Sequence, residues 1–328
     1  MSASLHFNSL TPLPPGPAGR PGRSRRPRLG VALSSGGAKG LAHIGVIQVL
    51  EENGVEVDMV AGTSMGAYVG GLWASGLGGP ELADLAATVS EPRHLWSLVD
   101  PAFPPRRGFV NGAKILARLR RSLGDRTFSD LEKPFLCVAT ELNGYVRSVI
   151  DEGDVASAIL ASLAIPGVVS PVEREGIEYI DGGVCEPLPV SALRERGAVD
   201  RIIAVNVLPT PAQVRRHRLA REEISPWRRP LAWLNRQLNL FARDNLLDIL
   251  RGAAMGAQMR LVERSARRAD IVIDAVSPVP RWHDYNNHRA YIALGRAAAT
   301  ARLPEIRSLL GISNHPEVNP ELEACIAS

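Results

Sequence analysis

The order of segments along the chain predicts an α/β fold with a mainly parallel central sheet. A short apolar run at Leu29 to Leu33 leads through a glycine-rich turn into a stretch with helical periodicity. The same order follows at once, because Val57 to Ala61 precedes a second glycine-rich turn and a second helical stretch. Strands and helices that alternate in this way are typical of parallel strands joined by crossover helices. We expect one compact domain from about residue 28 to about residue 310, since 45% of the 328 residues are hydrophobic.

Each element of this fold is predicted from local periodicity and from the turn residues beside it. The first helix is predicted over Ala38 to Asn53, where Asn53-Gly54 supplies the stop, and the second extends to Ser75. Two apolar runs separated by Glu141 to Gly144 predict a hairpin, because Asn143-Gly144 favours a type I′ turn. Further strands are predicted at Phe135 to Ala139, Tyr145 to Ile150, Ile177 to Ile180, Arg201 to Val207 and Ile271 to Ile273, and further helices at Val155 to Ala164 and Asn245 to Arg268.

The composition narrows the class of protein and its cellular setting. The chain has no run of about 18 apolar residues, and prolines interrupt its N-terminus, so we predict neither a membrane span nor a signal peptide. Three cysteines without a C-x-x-C pair indicate a reducing compartment, and no residue cluster has the spacing of a metal site. We therefore predict a cytoplasmic protein that needs no metal and no cofactor.

Positive charge is concentrated in two segments of a chain whose net charge is +4. Five arginines and no acidic residue lie in residues 1–28, which we predict to be a disordered tail rich in proline and glycine. Eight arginines lie between Arg215 and Arg243, against only Glu222 and Glu223. Such basic segments indicate an anionic partner, for which a membrane surface and a nucleic acid are both candidates.

Gly62-Thr63-Ser64-Met65-Gly66 fits the G-x-S-x-G pattern of a nucleophile elbow. In that turn the serine takes strained backbone angles between a strand and a helix, and the two glycines avoid clashes with it. The pattern stands where the elbow requires it, directly after Val57 to Ala61 and before a helix rich in alanine and glycine. Ser64 is therefore the candidate nucleophile, the alternative being a purely structural glycine turn.

A second glycine-rich loop, Gly36-Gly37-Ala38-Lys39-Gly40, follows the first predicted strand. An acyl-transfer enzyme needs backbone N–H groups directed at the oxyanion of its tetrahedral intermediate, and glycines let the backbone approach that closely. The alternative is a phosphate-binding loop, since helix N-termini bind anions in general. However, the loop matches neither G-x-x-x-x-G-K-[ST] nor G-x-G-x-x-G. Its position one strand ahead of Ser64 favours the oxyanion hole.

The segment Asp181-Gly182-Gly183 would indicate only a turn if it stood alone. Together with GGAKG at 36–40 and GTSMG at 62–66, it resembles the motif pattern of the patatin-like phospholipase family. ASLAIP at 161–166, followed by Ser170-Pro171, also resembles the family's segment ahead of the aspartate. The resemblance covers roughly residues 28 to 210. One departure is Ser35, because the family often has a third glycine at the start of the first motif.

This resemblance implies a three-layer α/β/α fold and a Ser-Asp dyad, in which Asp181 takes the proton from Ser64 directly. It also implies an acyl-enzyme intermediate and lipid ester substrates of the phospholipase or lysophospholipase type. The oxyanion would be stabilised by the N–H groups of Gly36, Gly37 and Ala38, together with that of Met65. The remaining motif residues are Lys39, Gly40, Gly62, Gly66, Gly182 and Gly183.

A Ser-His-Asp triad is an alternative, because an ordinary α/β-hydrolase has a histidine after its acidic residue. His283 and His288 are the stronger candidates, since aromatic residues surround them in the sequence. We interpret His43, on the first predicted helix, as a packing or supporting residue. The other histidines that follow Asp181 are His217 and His315.

Residues 29–210 are thus predicted to form the patatin-like catalytic core, residues 211–310 the C-terminal part of the same domain, and residues 311–328 a tail. Leucines recur at helical spacing beside arginines in Pro226 to Phe241, which is typical of an interfacial amphipathic helix. The region Arg215 to Arg243 therefore predicts peripheral association with the inner face of a membrane, although packing on the protein or on a partner subunit would equally explain its apolar face.

A third hypothesis is a non-catalytic module that binds a membrane or a nucleic acid on a degenerate hydrolase fold. The two arginine-rich segments are its basis. We expect no nucleic-acid partner, because the sequence contains no known nucleic-acid-binding motif.

Overall fold

The fold is built on a central β-sheet with helices on both faces, which confirms the predicted α/β class. The computed structural model describes residues 26–90, 93, 97–219, 246–277 and 284–312. Its strands are β1 (Leu29–Leu33), β2 (Met59–Thr63), β3 (Phe135–Glu141), β4 (Val146–Ile150), β5 (Val172–Arg174), β6 (Ile177–Asp181), β7 (Arg201–Asn206) and β8 (Ile271–Asp274). Its helices are α1 (Ala42–Glu52), α2 (Met65–Ala74), α3 (Gly79–Ser90), α4 (Ala113–Leu123), α5 (Val155–Ser162), α6 (Val190–Arg196), α7 (Pro211–Leu219), α8 (Leu246–Ala266) and α9 (His288–Leu310).

The described strands form one eight-stranded sheet, and its larger part is parallel. The order is β5-β6-β3-β2-β1-β7-β8, and β4 pairs with β3 outside that path. Strands β3, β2, β1, β7 and β8 run parallel to one another. The antiparallel pairings join β4 and β6 to β3, and β5 to β6. The prediction of a mainly parallel sheet is confirmed.

Alternate residues of the buried strands point into two separate apolar cores, one on each face of the sheet. Val31 of β1 lies in the larger core, which also contains side chains from α1, α2 and α9. Its neighbour Ala32 lies in the smaller core, to which α6 and α8 contribute. Because β1 is buried on both faces, it has the continuous apolar sequence from which it was predicted. Of the helices described, none combines the length and the hydropathy needed to cross a membrane.

Strand β2 begins and ends two residues later than predicted, at Met59 and Thr63. Asp58 is the cause, because it anchors the start of β1: its N–H donates to the Leu29 carbonyl oxygen at 2.9 Å and its carboxylate accepts the Leu29 N–H at 2.6 Å. The ladder between the two strands starts only at Met59. As a consequence, β2 leads into Ser64 with no intervening loop.

Two other predicted elements differ in detail. The first helix is divided into a 3₁₀ turn at Gly37–Leu41 and α1, so the glycine-rich loop remains tighter than an α-helix. The β3–β4 hairpin is present, but the predicted type I′ turn at Asn143-Gly144 is wrong. Strand β3 extends to Glu141 and β4 starts at Val146, so a four-residue loop joins them and its left-handed residues are Gly144 and Tyr145.

Residues 26–28, which are predicted from the sequence to belong to the disordered N-terminal tail, lie against the sheet. Arg26 pairs with Asp58 at 2.8 Å, and the Arg28 N–H donates to the Asp200 carboxylate at 2.8 Å. The rest of both predicted tails, at 1–25 and from 313 onward, lies outside the described residues.

Candidate active site

Ser64 occupies the tight turn between β2 and α2, as the G-x-S-x-G pattern predicts. Its backbone angles are φ 56° and ψ −121°, and its side chain is 4% exposed. A positive φ is strained for a residue with a Cβ atom, and such strain costs about 1–3 kcal/mol. The strain brings the side chain to the carboxyl end of the parallel strands, where α/β proteins place their binding sites.

The two glycines of this turn are required by close backbone contacts. A Cβ atom on Gly66 would lie 2.2 Å from the Leu33 carbonyl oxygen, and one on Gly62 would lie 2.4 Å from the Gly66 carbonyl oxygen. Both distances are far shorter than any real contact of a Cβ atom. The turn therefore holds Ser64 directly against the end of β1, and neither glycine can be replaced without moving it.

Asp181 reaches Ser64 because β2 and β6 meet end to end along one edge of β3. Val138 pairs with Thr63 on β2 and with Val149 on β4. The next residue, Ala139, pairs with Asp181 on β6 and with Ser148 on β4. A strand has two edges, and β4 occupies one of them at both positions, so β2 and β6 share the other. Because β2 is parallel and β6 antiparallel to β3, their final residues face each other.

The side chains of Ser64 and Asp181 are joined by a short hydrogen bond. Ser64 Oγ donates to Asp181 Oδ2 at 2.6 Å, and Asp181 is 5% exposed. The second carboxylate oxygen, Oδ1, accepts the Gly183 N–H at 2.7 Å. The backbone of Asp181 is fixed as well, since its N–H donates to the Ala164 carbonyl oxygen at 2.8 Å and Thr140 Oγ1 donates to its carbonyl oxygen at 3.1 Å. The carboxylate is thus held by both oxygens and by the chain that carries it.

Burial raises the pKa of the Asp181 carboxyl from 3.8 to about 6. Desolvation of the charged form is the main cause, and the hydrogen bonds from Ser64 and Gly183 act in the opposite direction. A carboxylate with a raised pKa is a stronger base than a solvated one and is still ionised at neutral pH. The site therefore pairs a serine hydroxyl with a carboxylate that is able to accept its proton.

The glycine-rich loop lies beside this pair. Gly37 has φ 57° and opens the 3₁₀ turn, whose first N–H groups have no acceptor within the turn. A Cβ atom on Gly40 would lie 2.4 Å from Cγ of Met65, the residue after the candidate nucleophile. Gly36 packs equally closely on the other side, where a Cβ atom would lie 2.3 Å from Val207 Cγ2. The loop that carries the predicted oxyanion residues Gly36, Gly37 and Ala38 therefore packs against the residue that follows Ser64.

Ser35, the departure from the family pattern, fits its position without backbone strain. Its φ is not positive, so the position does not require glycine. The Ser35 N–H donates to the Pro187 carbonyl oxygen at 2.7 Å, and the buried Oγ has no hydrogen-bond partner. A Cβ atom on Gly183 would lie 3.3 Å from this Oγ, so the serine closes the loop against the D-G-G segment.

His43 supports the loop rather than the serine. It is fully buried, and its Nε2 donates to the Ser34 carbonyl oxygen at 2.8 Å. Burial lowers the pKa of His43 from 6.5 to about 4, so the ring is neutral at physiological pH. Lys39 is buried as well, at 1% exposure.

The structure brings no described histidine into hydrogen-bond contact with Ser64 or Asp181. His288 lies at the start of α9, and neither of its ring nitrogens has a hydrogen-bond partner. His283, His315 and the side chain of His217 lie outside the described residues. Within the described ranges, no group of three His, Cys, Asp or Glu side chains is placed to hold a metal ion.

Ser162 is a site residue that none of the three sequence motifs predicts. At the end of α5, its Oγ accepts the Ser64 N–H at 2.7 Å and donates to the Val138 carbonyl oxygen at 2.6 Å. It therefore ties the strained turn to β3. The sequence indicates that the Ser162 hydroxyl is hydrogen-bonded, because Ser162 is a polar residue in the apolar sequence Val155–Ser162 and a buried hydroxyl needs a partner.

Replacing Ser162 with alanine should lower the free energy of unfolding by about 1–3 kcal/mol, because the Ser64 N–H and the Val138 carbonyl oxygen lose their buried partner. We also expect slower ester hydrolysis, since the turn is no longer anchored. Urea denaturation measures the first effect. Ser157→Ala on the same helix is the matched control, because Ser157 is half-buried and its Oγ donates only to the Asp154 carbonyl oxygen. Equal losses in the two variants would contradict the anchoring role.

Comparisons with known proteins show the family of this chain. A family model described as patatin-like phospholipase matches residues 31–194. An uncharacterized NTE family protein of Mycobacterium tuberculosis is 40% identical over 184 residues, which are 56% of this chain and 50% of that protein. Lysophospholipase NTE1 of Saccharomyces cerevisiae is 31% identical over 183 residues, which are 55% of this chain and 11% of that protein. The chain thus spans half the length of the first relative and a smaller share of the second.

Among solved structures, VipD from Legionella pneumophila aligns with 86% of this chain and 67% of its own, at 15% identity and a TM-score of 0.42.

Proposed function

Because the chain belongs to the patatin-like phospholipase family, we propose that it is a serine acyl hydrolase that cleaves carboxylic esters of lipids through Ser64 and Asp181. The observation that carries the proposal is the 2.6 Å hydrogen bond between Ser64 Oγ and Asp181 Oδ2 in a buried site. A serine that donates to a desolvated carboxylate is prepared to lose its proton as it attacks a carbonyl carbon.

In the acylation step, Ser64 Oγ bonds to the ester carbonyl carbon while its proton passes to Asp181 Oδ2. The carbonyl oxygen becomes an oxyanion next to the N–H groups of Gly36, Gly37, Ala38 and Met65. Removal of one such donor typically costs about 2.7–4 kcal/mol of transition-state stabilisation. When the intermediate collapses, the bond to the leaving alcohol breaks and Asp181 returns the proton to that alcohol. The acyl group then remains on Ser64 as an ester.

Deacylation repeats these steps with water as the nucleophile. Asp181 takes a proton from the water as its oxygen bonds to the acyl carbon, and the oxyanion forms in the same place. Collapse releases the fatty acid and returns the proton to Ser64 Oγ. The cycle consumes one ester and one water and needs no further reagent.

Lysophospholipids are the substrate class that we propose first. The support is the yeast relative named lysophospholipase, which shares about a third of its residues with this chain over the matched region. Diacyl phospholipids and simple carboxylesters are the wider class that the same chemistry can attack.

Release of free fatty acid from lysophosphatidylcholine and from phosphatidylcholine tests the reaction directly. A fluorophosphonate probe tests the nucleophile, because Ser64 Oγ displaces its fluoride and the adduct can be located by peptide mass spectrometry. We expect fatty acid release and modification of Ser64. Failure of both would exclude the acyl hydrolase, and the binding-module hypothesis would replace it.

The pH dependence follows from the raised pKa of Asp181. Only the ionised carboxylate can accept the proton, so kcat/KM for a short p-nitrophenyl ester should rise as the pH increases through about 6 and level off above about 7. Measuring the apparent pKa at two temperatures separates a carboxylate from an imidazole, because carboxylate ionisation has almost no enthalpy and imidazole ionisation has a large one. An apparent pKa that moves strongly with temperature would favour the triad.

Cellular location and membrane association remain predictions. We propose a cytoplasmic enzyme that meets lipid at the membrane surface. The region Arg215 to Arg243, whose sequence predicts that contact, lies largely outside the described residues.

A further inference from the structure

Two aromatic side chains are exposed on a hairpin that precedes α4. Phe103 is 96% exposed and Phe109 is 58% exposed, although large apolar residues are normally covered. Pro101 pairs with Val110 in an antiparallel bridge, and the Ala102 N–H donates to the Phe109 carbonyl oxygen at 2.9 Å. We call residues 101–110 the aromatic hairpin. Its backbone is ordered by these bonds, so the exposed rings are presented by a defined structure.

The aromatic hairpin lies beside the candidate active site. The N–H groups of Phe109 and Val110 both donate to the Val168 carbonyl oxygen, at 3.0 and 2.9 Å. Val168 is four residues after Ala164, whose carbonyl oxygen accepts the Asp181 N–H. On the hairpin's other side, Arg107 forms an ion pair with Glu178 on β6, the strand that ends in Asp181. Two independent contacts therefore attach the hairpin to β6, which carries Asp181, and to the loop that accepts the Asp181 N–H.

The hairpin leads directly into a basic helix. Asp100 joins the two, since its carboxylate accepts the N–H groups of Gly112 and Ala113 at 3.0 and 2.8 Å. Between Asp100 and Asp125 the sequence contains no acidic residue. It contains the basic residues Arg106, Arg107, Lys114, Arg118, Arg120 and Arg121. Leu119 and Leu123 bury one side of α4, whereas Lys114, Arg120 and Arg121 are exposed, and Arg120 pairs with Asp154 at 3.3 Å.

A cavity of about 260 Å³ lies between α3 and α4. Lys114, Arg118 and Arg121 line it, together with the hydroxyl-bearing residues Thr88 and Ser97, and no acidic residue is among its described lining. Basic and hydroxyl groups around a concave site suit a phosphate-bearing group. The cavity is thus complementary to an anionic headgroup. Its lining residues Leu98 and Lys114 stand three and four residues from the two ends of the aromatic hairpin.

We propose that the aromatic hairpin and α4 form a docking surface for lipid bilayers that contain anionic phospholipids. Phe103 and Phe109 enter the interface between headgroups and acyl chains, while the basic cavity receives a headgroup phosphate. The surface delivers lipid to the site beside it, so the inference rests on the proposed acyl hydrolase. It differs from the amphipathic segment predicted at Arg215 to Arg243.

Sedimentation with vesicles tests this surface without turnover, in the full chain carrying Ser64→Ala. We expect binding to phosphatidylcholine vesicles that contain phosphatidylglycerol and weaker binding to pure phosphatidylcholine. Adding Phe103→Ala and Phe109→Ala should weaken partitioning at least about tenfold, since each buried ring contributes favourable transfer free energy. Phe103→Trp is the matched conservative change, and this variant should retain binding. Compared with the parent chain, the fluorescence of the added tryptophan should shift to shorter wavelength on vesicles.

Lys114→Gln with Arg121→Gln should reduce the preference for anionic vesicles and the effect of salt on binding. Hydrolysis of a soluble p-nitrophenyl ester by chains that retain Ser64 separates the two proposals, because the aromatic variants should match the parent in that assay. A parent that binds no vesicle, or aromatic variants that bind as tightly as the parent, would overturn the docking surface. A parent that is inert in the ester assay and also releases no fatty acid from lysophosphatidylcholine would instead overturn the proposed function.

Discussion

Replacing Ser64 with alanine is expected to lower kcat/KM for a p-nitrophenyl ester at least about 10⁴-fold, because loss of a serine nucleophile has effects of this order or larger. The variant retains the oxyanion loop, so a small residual rate is expected from binding and electrostatic stabilisation. It also loses the hydrogen bond to Asp181 while the strained turn remains. Circular dichroism and denaturation serve to show that the fold persists.

The control for this variant is the pair His283→Ala and His288→Ala, made together. Ser64 bonds to Asp181 and not to a histidine in the described structure, so the double variant should keep activity within about threefold of the parent. A loss comparable to that of Ser64→Ala would transfer the role of base to a histidine. The Ser-His-Asp triad would then replace the dyad.

Replacing Asp181 with asparagine is expected to lower kcat/KM by about 10³–10⁴-fold, as other replacements of a catalytic aspartate by its amide do. An asparagine oxygen can still accept the Gly183 N–H, but the amide nitrogen would then face Ser64 Oγ as a donor. The hydrogen bond is reversed and no base remains. Asp154→Asn is a matched control, because asparagine also caps the start of α5.

The same replacement should alter the pH dependence of stability. Asp181 titrates at about 6 in the folded chain and near its ordinary value when unfolded, so its ionisation destabilises the fold as pH rises from about 4 to about 6. Asp181→Asn removes this contribution. The free energy of unfolding of the variant minus that of the parent should therefore be larger at pH 8 than at pH 4, by at most about 3 kcal/mol. If the difference in free energy of unfolding between variant and parent did not change with pH, the Asp181 carboxylate would not be desolvated. In the activity assay, a kcat/KM of Asp181→Asn above about a tenth of the parent's would assign the base to another residue.

The parallel half of the fold was predictable because its information is local. Each of β1 and β2 is an apolar run followed by a glycine-rich turn. The turn at Ser64 also has the sequence G-x-S-x-G, which is typical of a nucleophile elbow. The strand ends do not follow from local sequence, since Asp58 decides where β2 starts through a contact with Leu29. Such a contact is invisible until the two strands are paired.

Elements outside that half depended on tertiary packing. Helix α9 contains Pro304, which argues against a helix in sequence, yet Ile292, Ile306 and Leu310 bury it against the larger core. The aromatic hairpin has neither helical nor strand periodicity, because Pro104 and Pro105 interrupt it. Its exposed rings became apparent only once the neighbouring contacts were known.

The way in which β2 and β6 meet along β3 makes the geometry of the proposed catalytic pair independent of how the chain connects the two strands. Ser64 and Asp181 are more than a hundred residues apart, and the strands that carry them are aligned by a third strand that supplies no catalytic group. The length of chain between them is therefore free to vary in evolution, whereas the register of β6 is not. A slip by one residue would turn the carboxylate to the opposite face of the sheet. A chain misregistered in this way would keep most of its apolar burial and be catalytically silent.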